Sequence, residues 1–190
     1  MLNIVLFGPP GAGKGTQSEK VIAKYALTHL STGDIFRENI ANGTDLGKKV
    51  KEYTENGLLV PDSVTIDMLK SAMDGHKAPK GFIFDGFPRT TKQAEALDVL
   101  LADKKLSINR MLALEVEKEE LISRLLNRGK DSGRADDQNE AIIENRIKVY
   151  NNETSPLIEY FKAQNKFSGV FGMGSIDEIF DRLTKVIDNL

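Results

Sequence analysis

The chain has 190 residues, 40% hydrophobic and 28% charged, enough for one compact domain that buries about 70% of the surface its unfolded form exposes. Its 26 cationic and 28 anionic side chains are interspersed and leave a net charge of -2, which excludes a generic polyanion or anionic-membrane binder and makes any phosphate recognition local. Cysteine is absent, which removes disulfides, thiol nucleophiles and Cys-ligated zinc.

The first apolar run, Leu2 to Phe7, has strand length and leads into Gly8-Pro9-Pro10-Gly11-Ala12-Gly13-Lys14-Gly15-Thr16, after which a helix-forming run begins. Glycines in such a loop let successive backbone N–H groups converge on phosphate oxygens. The following helix N-terminus favours negative charge, and Lys14 reaches between the outer phosphates of a triphosphate. The residue after Lys14 is Gly15, and the hydroxyl that could face a metal comes one position later, at Thr16. No G-x-G-x-x-G starts at Gly11 or Gly13, so a dinucleotide-binding reading fails.

A second strand is predicted at Leu27 to Leu30. From Ser31 to Asp74 about three helical segments follow without a strand signal, punctuated by Asn42-Gly43 and Asn56-Gly57, as an inserted helical hairpin or flap. The third strand, Gly81 to Phe84, runs into Asp85-Gly86-Phe87-Pro88-Arg89. Asp85 is a candidate to hold magnesium through water, Gly86 permits close approach of a ligand to backbone, and Pro88 presets the turn that aims Arg89 at an anion.

Met111 to Val116 is the fourth predicted strand. Leu121, Ile122, Leu125 and Leu126 then form a helical stripe bordered by Arg124 and Arg128. Asn127 to Asp137 carries two glycines, alternating charges and no apolar residue larger than Ala135, which predicts a mobile surface loop unable to form core. A second stripe, Ile142, Ile143, Ile147 and Tyr150, encloses Arg146. A guanidinium on a core-facing stripe needs an anion, either a carboxylate of this protein or a ligand phosphate. Phe167 to Phe171 is the fifth strand. The alternation predicts an α/β fold over 1–190 as one continuous unit: a five-stranded parallel sheet with right-handed crossovers, helices on both faces, and ligands at the C-terminal strand edge.

Only eight of the cations are arginine, and Arg37, Arg89, Arg124, Arg128, Arg134 and Arg146 fall in the atypical segments, the Asp85 turn or the helices beside the loop. Arginine binds phosphate with a planar fork, so this clustering points to phosphoryl-group recognition. His29 and His76 have no triad partners and read as structural or surface residues. The longest apolar runs fall far short of the roughly 20 residues of a membrane span, and no positive signal region opens the chain. We therefore expect a cytoplasmic monomer with no nucleic-acid or membrane partner.

These segments resemble the adenylate kinases in order and spacing across essentially the whole chain. The matching stretches are GPPGAGKGTQ at Gly8 to Gln17, LSTGDIFR at Leu30 to Arg37, GLLVPD at Gly57 to Asp62, DGFPRT at Asp85 to Thr90 and GRADD at Gly133 to Asp137. The resemblance implies a P-loop three-layer α/β/α fold and reversible, direct phosphoryl transfer from MgATP to AMP, giving two ADP and serving adenine-nucleotide homeostasis. It implies an ATP site at Gly11, Ala12, Gly13, Lys14, Gly15, Thr16, Arg124, Arg128 and Gly174. It implies an AMP site at Thr32, Arg37, Leu58, Leu59, Val60, Gly86, Phe87, Pro88, Arg89 and Gln93, with Arg134 and Arg146. Lys14, Arg89, Arg128, Arg134 and Arg146 would gather around the moving phosphoryl group, with Mg2+ near Asp85 and Thr16. Residues of about 31–60 resemble the AMP-binding flap and 127–137 a short lid. Longer relatives carry an inserted domain there, sometimes with zinc, and this sequence has neither that length nor the cysteines.

A UMP/CMP kinase is the nearest alternative, but relatives selecting pyrimidines resemble this pattern with Ala and Asn at the places of Thr32 and Gln93. A non-catalytic nucleotide switch is the other. Such GTPases read guanine with N-K-x-D, and the only Asn-Lys pair here, Asn165-Lys166, is followed by Phe167-Ser168.

Overall fold

Strands covered on both faces lose the polar alternation of a half-exposed sheet. Gly81–Asp85, the third strand (β3), is the clearest case, because every residue in it is buried. The computed structural model describes residues 1–76, 79–132 and 134–190, so Gly133 of the expected lid lies outside the described residues. In chain order the elements are β1 (Leu2–Phe7), α1 (Lys14–Tyr25), β2 (Thr28–Ser31), α2 (Thr32–Ala41), α3 (Asp45–Glu55), α4 (Asp62–Asp74), β3, α5 (Thr91–Asp103), β4 (Arg110–Glu115), α6 (Lys118–Ser132), a short 3-10 turn (Ala135–Asp137), α7 (Glu140–Val149), a wide π turn (Tyr150–Thr154), α8 (Leu157–Ala163), β5 (Phe167–Phe171) and α9 (Ile176–Ile187).

The described residues form one sheet of five parallel strands in the order β2-β3-β1-β4-β5. The expected strands recur, with β2 and β4 each displaced by one residue. Alternate side chains of one strand point to opposite faces, and the cores divide accordingly. Val5, Phe7, Phe82, Phe84 and Met111 pack beneath α4, α5 and α8 through Leu69, Leu97, Leu101 and Phe161. Ile4, Leu6, Ile83, Leu112 and Leu114 pack beneath α1, α6 and α9 through Val21, Leu121, Ile179 and Leu183. The result is the three-layer α/β/α arrangement. Among the described residues no helix is long and apolar enough to cross a membrane.

Strand order reverses at β1, which lies between β3 and β4, so connections leave in opposite directions and open a crevice at the C-terminal ends of β1 and β3. The glycine-rich loop and Asp85 both end there. The three helical segments expected between Ser31 and Asp74 are α2, α3 and α4, with their own apolar cluster of Phe36, Val50, Val60 and Met68.

One expectation needs correction. The segment 127–137 is not a loop excluded from the interior: α6 continues to Ser132, Gly129 is buried, and Asp137 ends the 3-10 turn fully buried. Its small residues are what allow the backbone to close up, since a Cβ on Gly129 would stand 2.4 Å from the Asp137 carbonyl oxygen.

Leu97 and Leu101 anchor α5 to the sheet and are fully buried. Leu97→Ala is expected to cost about 3 kcal/mol of unfolding free energy, read from a lower denaturant midpoint at an unchanged slope.

Candidate active site

The loop after β1 packs directly onto α6. Gly11 has φ +84, and a Cβ there would lie 2.9 Å from the Leu121 carbonyl oxygen and 3.0 Å from Leu125, so both its conformation and its neighbours require glycine. Lys14 opens α1, and its Nζ donates to the carbonyls of Gly8 at 2.8 Å and Pro9 at 3.0 Å. Desolvation dominates its environment, opposed by Asp85 and reinforced by repulsion from Arg89, Arg146 and Arg128; together they lower its pKa to about 8. Four charged groups, from β3, the turn after it, α6 and α7, therefore act on one ammonium.

At the end of β3 the chain turns at Gly86, φ +73, whose carbonyl accepts from the Thr32 hydroxyl at 2.9 Å and from Arg89 Nε at 2.8 Å. One carbonyl thus joins the start of α2 to the Arg89 turn. Solvent reaches Arg89 through the cleft, yet desolvation by the walls and then the charge of Arg146 lower its pKa to about 10. His29, on β2, sits with Nε2 3.8 Å from Asp85 Oδ2, and that carboxylate raises its pKa. Gln93 Oε1 accepts from the Arg89 backbone N–H at 2.8 Å.

The opposite wall is an ion-pair cluster. Arg128 of α6 grips Asp137 with Nε at 2.6 Å and Nη2 at 3.0 Å, and Arg146 of α7 donates to the same carboxylate at 2.6 Å. Asp136 lies 3.0 Å from Arg146 Nη1 and 3.3 Å from Arg134 Nε. Burial alone would raise the pKa of Asp137; hydrogen bonding from Arg128, with the charges of Arg128, Arg146 and Arg134, outweighs it and holds the carboxyl below its ordinary value. The anion demanded by Arg146 on its apolar stripe is therefore a carboxylate of this protein.

The expected acceptor residues converge. Thr32, Arg37, Leu58, Leu59, Val60, Gly86, Phe87, Pro88, Arg89, Gln93, Arg134 and Arg146 all line one cavity of about 450 Å³, which Lys14 also reaches. The expected donor residues stand apart from it: Gly11, Ala12, Gly13, Gly15, Thr16, Arg124, Arg128 and Gly174 are absent from its lining. Arg124 links several of them, because a Cβ on Gly13 would lie 4.0 Å from its Nη1 while its Nη2 donates to the Gly172 carbonyl at 3.3 Å, two residues before Gly174.

Sequence reasoning missed Asp136 and Asp137 as functional groups, although the anion required by Arg146 was the available signal. It also missed Asp62, which accepts from Gln93 Nε2 at 2.8 Å, and Tyr150 and Thr154, which line the cavity from the π turn. No periodic pattern marks Asp62 or Thr154, and Tyr150 was legible only as part of its apolar stripe. Burial, then the charge of Glu115, pushes the Tyr150 hydroxyl up to about 12.

Among the described residues no three His, Cys, Asp or Glu side chains converge as a metal cage. Asp85 at the cleft floor and the exposed Thr16 beside Lys14 suit an ion that brings most of its ligands with it, as magnesium does with phosphate and water.

Residues 6–166 match the family model described as adenylate kinase. Among curated proteins, an adenylate kinase of Flavobacterium psychrophilum is 57% identical over 190 residues, covering 100% of both chains. One of Bacteroides fragilis is 53% identical over the same full length. One of Porphyromonas gingivalis is 46% identical over 188 residues, covering 99% of this chain and 96% of its own.

The pH dependence follows from Lys14. Its depressed pKa means the free cleft loses this charge as pH rises through about 8, and a bound anion restores it. Binding of a nucleoside triphosphate is expected to weaken across that range and to take up a proton at about pH 9, where the phosphates themselves no longer titrate. Calorimetry in two buffers of different ionisation enthalpy measures this, and binding without uptake refutes it.

Proposed function

The chain belongs to the adenylate kinase family, and on that premise we propose how its cleft performs the family's reaction, reversible phosphoryl transfer from MgATP to AMP to give two ADP. The observation that carries the assignment of roles is the convergence of Lys14, Arg89, Arg134 and Arg146 on the same cavity as Thr32, Arg37 and Gln93. Cations from four places in the chain then line one cavity, which has room for a nucleoside monophosphate.

In this reading the amides of Gly11 to Thr16 and Lys14 hold the ATP phosphates, while Arg124, Arg128 and Gly174 serve its outer phosphates and base. Thr32, Arg37, Leu58 to Val60, Gly86 to Arg89 and Gln93 hold AMP, with Gln93 at the adenine edge. Lys14, leaving the carbonyls of Gly8 and Pro9, joins Arg89, Arg128, Arg134 and Arg146 around the transferred group. A loose phosphoryl transition state asks for alignment and charge neutralisation more than for a covalent nucleophile, so no triad is needed. Magnesium, brought by ATP, would be held by Asp85 through water and by Thr16, and would supply charge neutralisation to the phosphates. The segments 31–60 and 127–137 close over AMP and ATP and exclude water, which would otherwise take the phosphoryl group. Both halves of the site belong to one chain, which supports action as a monomer, and the cytoplasm is where its nucleotide substrates abound.

Phosphorus NMR of the protein with ADP and magnesium tests the reading: ATP and AMP should appear in equal amounts, and AMP should be preferred to UMP and CMP as acceptor. A preference for a pyrimidine acceptor refutes the proposed adenine contact. Arg134→Ala is expected to lower kcat by about a hundredfold with little change in melting temperature, and an unchanged kcat removes Arg134 from the set.

A further inference from the structure

Gln93 is buried, with 1% of its surface exposed, yet it lines the cleft. A primary amide has two N–H donors and two acceptor lone pairs. One lone pair is taken by the Arg89 backbone N–H at 2.8 Å and one N–H by Asp62 Oδ1 at 2.8 Å. One donor and one acceptor remain. A backbone N–H only donates and a carboxylate only accepts, so the two bonds admit one orientation of the amide. Turned end for end, it would set donor against donor at Arg89 and acceptor against acceptor at Asp62.

Asp62 is itself held in place. It opens α4 directly after Pro61, and the Thr90 hydroxyl donates to the same Oδ1 at 3.0 Å while capping α5 by accepting from the Gln93 backbone N–H at 3.2 Å. The carboxylate therefore ties the starts of two helices to one amide.

We propose that Asp62 is a positioning residue that sets base specificity, locking the Gln93 amide to read a 6-aminopurine and to refuse a 6-oxopurine. This rests on the reading above, in which Gln93 meets the acceptor base. A 6-aminopurine edge presents a ring-nitrogen acceptor and an amino donor, the complement of the one N–H and one lone pair Gln93 has left. A 6-oxopurine reverses both, offering a ring N–H and a carbonyl. A free amide serves either edge by rotating half a turn. A pinned amide serves one, because rotation leaves buried polar groups facing their own kind.

Initial-rate kinetics with AMP and inosine monophosphate as acceptors test this. In Asp62→Ala the ratio of kcat/KM for AMP over IMP falls about tenfold, chiefly through a lower KM for IMP, with KM for MgATP unchanged. Asp62→Asn, whose Oδ1 still accepts both bonds, recovers most of the ratio. Should the alanine variant fail to fold, Asp62→Leu fills the space without an acceptor and the same ratio is read. An Asp62 that only braces the helices lowers both acceptors alike, and an unchanged ratio overturns the proposal. Gln93→Leu separates the two levels: lost discrimination there upholds Gln93 as the base reader, whereas discrimination retained in Gln93→Leu overturns that reading and the proposal with it.

Discussion

Arg128, Arg134 and Arg146 bring three guanidinium groups to one wall of the cleft, where like charges repel unless carboxylates stand between them. Asp137 does this from a fully buried position, and Asp136 braces Arg134 and Arg146. The pairing has two consequences. It makes a cluster of cations tenable in a partly desolvated place, and it fixes their forks in advance, so a phosphate bound there, as proposed, would meet donors already ordered. Two carboxylates against three guanidiniums still leave the wall positive, as an anion requires.

The same wall is tied to the phosphate loop through α6. Leu121 and Leu125 meet Gly11 on one side, while Leu125 joins Ile143 and Ile147 of α7 on the other. A displacement of α6 would therefore move the loop's seat, Arg128 and the neighbour of Arg146 together. Apolar packing here sets distances between charges, and the charges set what the cleft can bind. The sheet contributes the remaining constraint: only at the reversal of strand order do the ends of β1 and β3 stand open side by side, which brings Lys14 near Asp85.

The acceptor side is built differently. Its flap owns a separate apolar cluster, Phe36, Val50, Val60 and Met68, distinct from the two cores that clothe the sheet. Met68 belongs to α4, which Leu69 and Met73 anchor to the sheet, so in the proposed function α2 and α3 would close as a cover hinged on α4. Asp62, Thr90 and Gln93 join the starts of α4 and α5 beneath it, and in the proposed function the cover would close over the base-reading edge that these bonds hold.

Strand positions, the sheet's parallel character, the phosphate loop and the three helical segments between Ser31 and Asp74 were legible in the residues, because each depends on neighbours in the chain: apolar runs, 3.6-residue periodicity, glycine at a strand's end. The requirement that Arg146 find an anion was legible too, since burial of a guanidinium carries that demand wherever it occurs. Which anion answers it was not. Asp137 meets Arg128 and Arg146 from nine residues away on either side, across a segment whose polar composition reads as loop, and Asp62 meets Gln93 across 31. Those pairings depend on how helices dock against one another, an outcome of packing over the whole sheet that local composition does not encode.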